Sequence, residues 1–176
     1  MTPGPNNVML LASGVNYGFA RTLPHILGVI FGYVLLLTLL GLGLGQAFVA
    51  FPAAHFALKI AGGGYLVWLA WKIANSGPAQ VDDAASGRPM NFLQAAAFQW
   101  VNVKGVLLAV SALAAFTKPQ TIGATLPALV AIAALASCVS ALTWAAFGAV
   151  LSRWLASPRV LRPFNILMAL LLLASL

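Results

Sequence analysis

The chain has 176 residues, 62% of them hydrophobic and 6% charged, with a mean hydropathy of +0.99. Soluble domains carry about 25% charged residues, so a water-soluble enzyme, a soluble binding domain and a disordered tail are excluded, and an integral membrane protein remains. The net charge of +7 comes from nine Lys and Arg against two acids, Asp82 and Asp83. The basic residues stand singly along the chain, which argues against nucleic acid as a partner and fits basic ends flanking apolar spans in a lipid bilayer.

In chain order, the first feature is Thr2-Pro3-Gly4-Pro5-Asn6-Asn7. Two prolines and a glycine cannot continue a helix. A new helix is expected to start here with the amides of Asn6, Asn7 and Val8 at its positive dipole end, where a carboxylate can be held; the stretch also reads as no more than a loop before the first helix. A short segment, 3–19, ends in a polar, glycine-bearing loop at 14–21. Apolar spans follow at 26–49 and 56–74, each near the ~20 residues that cross the hydrocarbon core. The first of these holds Tyr33 and the small-residue pairs Gly28/Gly32 and Gly41/Gly45, and the second holds Gly62, Gly63 and Gly64. Such spacings read as close helix packing.

The loop 75–91 carries both acids with Gly77, Pro78, Gly87 and Pro89. It is followed by spans at 92–116 and 125–151, the second with the lone Cys138, read as packing. An arginine-bearing loop at 152–163 leads to a short last segment, 163–176. The runs lack two-residue alternation and lipid leaves no backbone group to water, so the fold class is all-α, a polytopic bundle of about six segments. The expected organisation is a single membrane domain, 1–176, with a first half of about 1–75 and a second half of about 92–176. Three segments in each half imply an inverted repeat.

Arg21, Lys72, Arg88, Arg153, Arg159 and Arg162 fall on the odd connections and only Lys59 and Lys118 on the even ones. The odd loops are therefore expected to be cytoplasmic, with Trp68, Trp71 and Trp154 in an interfacial belt. His25 and His55 fall at span edges and read as headgroup or loop contacts. Met1 to Ala12 has no basic region of the kind that starts a targeting peptide.

Lys104 is the anomaly. It lies twelve residues from either end of 92–116, and an ammonium at the bilayer centre costs at least about 2.5–3.5 kcal/mol. With Asn102, Gln99 and Trp100 it makes a polar patch expected to face the bundle interior, snorkelling of the lysine being the alternative. The break at 3–7 and Lys104 occupy the first segments of the two halves, the kind of corresponding positions that form transporter sites. No Asp or Glu occurs in any span, which removes paired-carboxylate catalysis and carboxylate metal sites; neither an enzyme nor a cofactor is expected.

At these residues the chain resembles the LysE/RhtB amino-acid exporters, a family of six-helix bacterial inner-membrane proteins. The resemblance rests on Thr2-Pro3-Gly4-Pro5-Asn6, on Gly28-Val29-Ile30-Phe31-Gly32, on the run from Leu58 to Lys72, and on Asn102-Val103-Lys104 in place of the family's Asn-Pro-Lys. Phe98 to Lys104, Pro119-Gln120-Thr121 and Asn165-Ile166-Leu167 are most similar to the cysteine and O-acetylserine exporters of that family.

The resemblance implies efflux of small amino acids or their derivatives by alternating access. The substrate carboxylate would lie on Lys104 and the helix start at Pro3, Gly4, Pro5, Asn6 and Asn7. Asn102 and Asn6 would orient it, and Tyr33, asparagine oxygens or freed carbonyls would meet the ammonium. If protons drive export, Lys104 is the titrating group expected. Tyr33 stands where many relatives carry aspartate, and valine replaces the motif's proline, so the fourth span is expected to be less kinked. The family also has about half a helix ahead of the Pro-Gly-Pro turn, whereas this chain begins almost on the turn. A passive channel and a non-transporting subunit of a complex are the alternative classes, and the glycine faces suit a homo-oligomer.

Overall fold

The computed structural model describes residues 4–44, 52–76, 88–118, 120–155 and 157–175. Among them are seven α-helices and no strand: α1 (Pro5–Tyr17), α2 (Phe19–Leu39, ending in a π-turn at Leu40–Leu44), α3 (Pro52–Ala74), α4 (Phe92–Phe98), α5 (Val103–Phe116), α6 (Ile122–Leu151) and α7 (Pro158–Leu173). Pro3, the acidic segment 77–87 with Asp82 and Asp83, Gly45 and Pro119 lie outside the described residues, as does the side chain of His55.

The innermost element is α1, in which every residue from Val8 to Asn16 is buried. It packs against α6, α2 and α7. The closest approach joins two glycines: a Cβ on Gly14 would run into the Ala145 carbonyl of α6, and one on Gly148 into the Leu11 carbonyl of α1. Neither glycine stood out in the sequence. The pair Gly28/Gly32 did, and it serves the expected purpose. A Cβ on Gly28 would come within 2.7 Å of Ala95 Cβ, and one on Gly32 within 2.6 Å of Ala96 Cα, so these glycines let α2 lie directly on α4.

The outside of the bundle is apolar. Leu27, Phe31, Leu107, Leu108, Ile132 and Leu135 each keep more than half of their surface uncovered, an arrangement that water penalises and hydrocarbon accommodates. Two described helices are long and apolar enough to cross a membrane, Phe19–Gly43 and Ile122–Leu151. The bent pair α4 and α5 makes a third if it is one span.

Two boundaries differ from the sequence reading. The loop expected at 14–21 shrinks to Gly18, whose φ of +78° breaks the chain between α1 and α2. The polar residues after it are helical, and they divide by helical period. Thr22 and His25 turn inward while Arg21, Leu23 and Pro24 face out. Thr22 Oγ1 donates to the Gly18 carbonyl at 2.8 Å and shares a hydrogen bond with Ser13 Oγ at 3.0 Å. His25 is therefore no loop or headgroup contact, being 1% exposed against α1. Similarly, α7 starts at Pro158, so Arg159 and Arg162 belong to its first turns.

The span 92–116 is two helices bent by 61°. Asn91 and Gln94 form a capping box at the start of α4, with bonds of 2.8 and 3.1 Å. After Phe98 the chain tightens into i→i−3 turns at Gln99, Trp100 and Val101. Asn102 then caps α5, its Oδ1 accepting from the Gly105 amide at 3.3 Å. The 61° break thus stands without the proline of the family's motif. An asparagine side chain that satisfies the amide of a new helix is enough to start one.

Candidate functional site

The break brings two helix starts together. Gln99, fully buried, exchanges two amide hydrogen bonds with Asn6 in the first turn of α1: Asn6 Nδ2 donates to Gln99 Oε1 at 2.8 Å and Gln99 Nε2 to Asn6 Oδ1 at 3.1 Å. A third bond from Gln99 Nε2 to the Ala95 carbonyl, at 2.9 Å, holds the glutamine to its own helix. The N-terminal turns of α1 and α5 are therefore fixed on the same region.

Between them lies a cavity of about 370 Å³, lined by Gly4, Pro5, Asn6 and Asn7 from the first turn of α1, Tyr33 from α2, Asn102, Lys104 and Gly105 at the break, and Ser137 and Ser140 from α6. That volume is in the range of small-molecule sites. Every site residue expected from the sequence lines it except Pro3, which is outside the described residues.

Two details depart from expectation. Lys104 is not at the middle of a continuous helix. It is exposed in the first turn of α5 and faces this cavity. The Val8 amide is not available to a ligand, because it donates to the Gly4 carbonyl at 3.0 Å as the first bond of α1.

Gly4 explains how the lysine reaches α1. A Cβ there would stand 3.0 Å from Lys104 Cδ and 3.2 Å from Nζ, so the bare glycine lets the ammonium lie over the helix start. Helix N-termini carry about half a positive charge each, and a cation beside one is disfavoured by roughly 0.3–1 kcal/mol. Lys104 meets two such ends and is the one charged side chain among the lining residues.

Ser137 and Ser140 are the lining residues that the sequence did not single out. Ser140 Oγ donates to Asn7 Oδ1 at 3.3 Å, tying α6 to the start of α1. Serines three apart in an apolar run ordinarily read as packing, so only the fold could place them here. Among the described residues no group of three or more His, Cys, Asp or Glu is placed to hold a metal ion.

The outside of this helical bundle is apolar, as a membrane protein requires, and a lysine-bearing cavity lies at the break in one of its spans. The family model described as LysE type translocator matches residues 1–174, and the chain belongs to that family, one of transporters and not of enzymes. It is 41% identical over 122 residues to proteins named cysteine/O-acetylserine efflux protein from Escherichia coli (strain K12), Shigella sonnei (strain Ss046) and Shigella flexneri. Each match covers 69% of this chain and 61% of the relative, so it spans about three fifths of those proteins' length. No solved structure matches the chain.

Proposed function

We propose that this chain exports small neutral amino acids or their close derivatives across the bacterial inner membrane by alternating access, with cysteine and O-acetylserine, named for its relatives, as first candidates. The observation that carries the reading is the placement of Lys104 at two helix starts around one cavity. A substrate carboxylate binds between the Lys104 ammonium and the first turn of α1, where charge and dipole both favour it. Asn6 and Asn102 orient the carboxylate. Tyr33 and the asparagine oxygens accept hydrogen bonds from the substrate ammonium, for which no lining residue supplies a carboxylate.

In this reading 1–176 forms a single multi-pass domain of about six segments, with inverted halves at about 1–75 and 92–176 and cytoplasmic odd loops. Homo-oligomers pack through exposed glycine-bearing faces. The test measures extracellular cysteine and O-acetylserine from cells expressing the chain or its Lys104→Met variant at equal membrane abundance. Accumulation with the parent that is lost in the variant supports the reading. Undiminished accumulation with Lys104→Met removes the lysine from the site.

A further inference from the structure

The far end of α1 holds a second polar cluster. Ser13 and Asn16 of α1, His25 of α2, Lys72 of α3, Ser76 and Arg88 line a cavity of about 30 Å³, room for about one water molecule. His25 is 1% exposed, and neither of its ring nitrogens has a hydrogen-bond partner among the described residues.

Its neighbours Ser13, Asn16, Lys72 and Ser76 are engaged. Ser13 pairs with Thr22 at 3.0 Å, and Lys72 Nζ donates to the Arg88 carbonyl at 3.0 Å. Asn16 and Asn165 exchange amide bonds of 2.9 and 3.0 Å, and Asn165 also donates to the Ser76 carbonyl at 2.9 Å. Those bonds join α1 to α7 and to the end of α3 beside the cavity. A buried imidazole left out of such a network can take a proton only if its surroundings rearrange to solvate the charge.

The titratable and charged groups around it come from several elements. Tyr17 of α1, Lys72 of α3 and Arg88 line the same cavity. Arg21 lies exposed on the same helix, and α7 carries Arg159 and Arg162. Cys138 is the only titratable side chain of α6, and α4 has none. Asp82 and Asp83 belong to the segment that joins Ser76 to Arg88, outside the described residues.

The second cavity is also close to the first. Met9 lines the His25 cavity and its neighbour Leu10 lines the Lys104 cavity, so both cavities border the same turn of α1.

We propose that His25 is a proton-binding site whose protonation parts the Asn16–Asn165 amide pair between α1 and α7 and so couples proton uptake to solute movement through the Lys104 cavity. The solute half of this statement rests on the transport reading above. A proton adds to the lone pair of the bare ring nitrogen, forming an N–H bond with nothing displaced. The imidazolium then has two donors and a positive charge in a space shared with Lys72 and Arg88. Parting α1 from α7 at the amide pair admits water to solvate it. Lys104 is left to the solute and His25 takes the proton, a division the sequence alone did not suggest.

The test follows access to the cavity directly. Ser13→Cys in a Cys138→Ser background is labelled with a small thiol reagent in membrane vesicles, with His25 present and with His25→Gln. The ratio of the two rates cancels the thiol's own titration. It is expected to be about 1 at about pH 8 and to rise about five-fold as the pH falls through the range in which the buried imidazole is protonated. A ratio that does not change with pH, with Gln or with Asn at position 25, overturns the proposal. In the same vesicles His25→Gln should retain solute-for-solute exchange and lose about ten-fold of the flux driven by a pH gradient; gradient-driven flux equal to the parent's also overturns it. A pH-dependent ratio in vesicles that carry no solute sustains the proton site and refutes the transport reading.

Discussion

At the Pro5 end of α1, Asn6 and Gln99 exchange two amide hydrogen bonds on the edge of a cavity of about 370 Å³; at the Tyr17 end, Asn16 and Asn165 exchange two beside one of about 30 Å³. The chemistry is the same and the surroundings are opposite. The first pair stands among helix starts and beside Lys104, where positive potential accumulates and a solute has room. The second is fully covered, with Asn16 at 2% and Asn165 at 0% exposure, and has no space for a solute. A reciprocal amide pair is thus a neutral clasp, and its role depends on whether charge and volume lie beside it.

The comparison breaks most completely at its charged end. Lys104→Met should lower export by about 100-fold or more, as expected where the group holding the substrate's charge is removed, while membrane abundance stays that of the parent. At the covered end, Asn165→Ala should leave Asn16 and the Ser76 carbonyl short of partners and cost about 1–3 kcal/mol for each buried group left unsatisfied. A fall in the melting temperature of the detergent-solubilised protein checks it, and an unchanged value would deny the closure any structural weight.

A comparable loss, about 1–3 kcal/mol from overpacking, is expected for Gly148→Ala, where the new methyl meets the Leu11 carbonyl. Gly64→Ala, with nothing within 4 Å of its Cβ position, is the control that should leave the melting temperature in place. Asn102→Ala removes the cap of α5 and should cost about 0.5–2 kcal/mol, with a matching drop in export if the α5 start frays. The smallest effect belongs to Val103→Pro. The first position of a helix tolerates proline because its amide has no partner within the helix, so stability and export should hardly change.

Much of the charged end was legible in the sequence. Prolines and glycine at 3–5 forbade a continuing helix, and Lys104 was costly enough in an apolar run to demand a purpose. Tyr33, Asn6, Asn7 and Asn102 could be set beside it through the family resemblance. What could not be read was the geometry that makes them one site. Nothing in Gln99-Trp100-Val101-Asn102 announces a 61° bend without a proline, because the asparagine cap is recognisable only once the turn exists.

The covered end was almost wholly hidden. Residues 14–21 read as a polar loop and His25 as a contact at a span edge, since composition averages over a stretch that helical periodicity divides into an inner and an outer face. Asn16 and Asn165 are 149 residues apart, a separation across which no local pattern reports.

The crossing of Gly14 on Gly148 has a mechanical consequence. There the two helices meet backbone to backbone, since a Cβ on either glycine would strike a carbonyl of the other helix. With a rise of about 1.5 Å per residue, the crossing stands about 13.5 Å from the Pro5 end of α1 and about 4.5 Å from the Tyr17 end. Between the two amide clasps, α1 is therefore spaced from α6 by main chain alone, with no side chain there that could turn aside to make room.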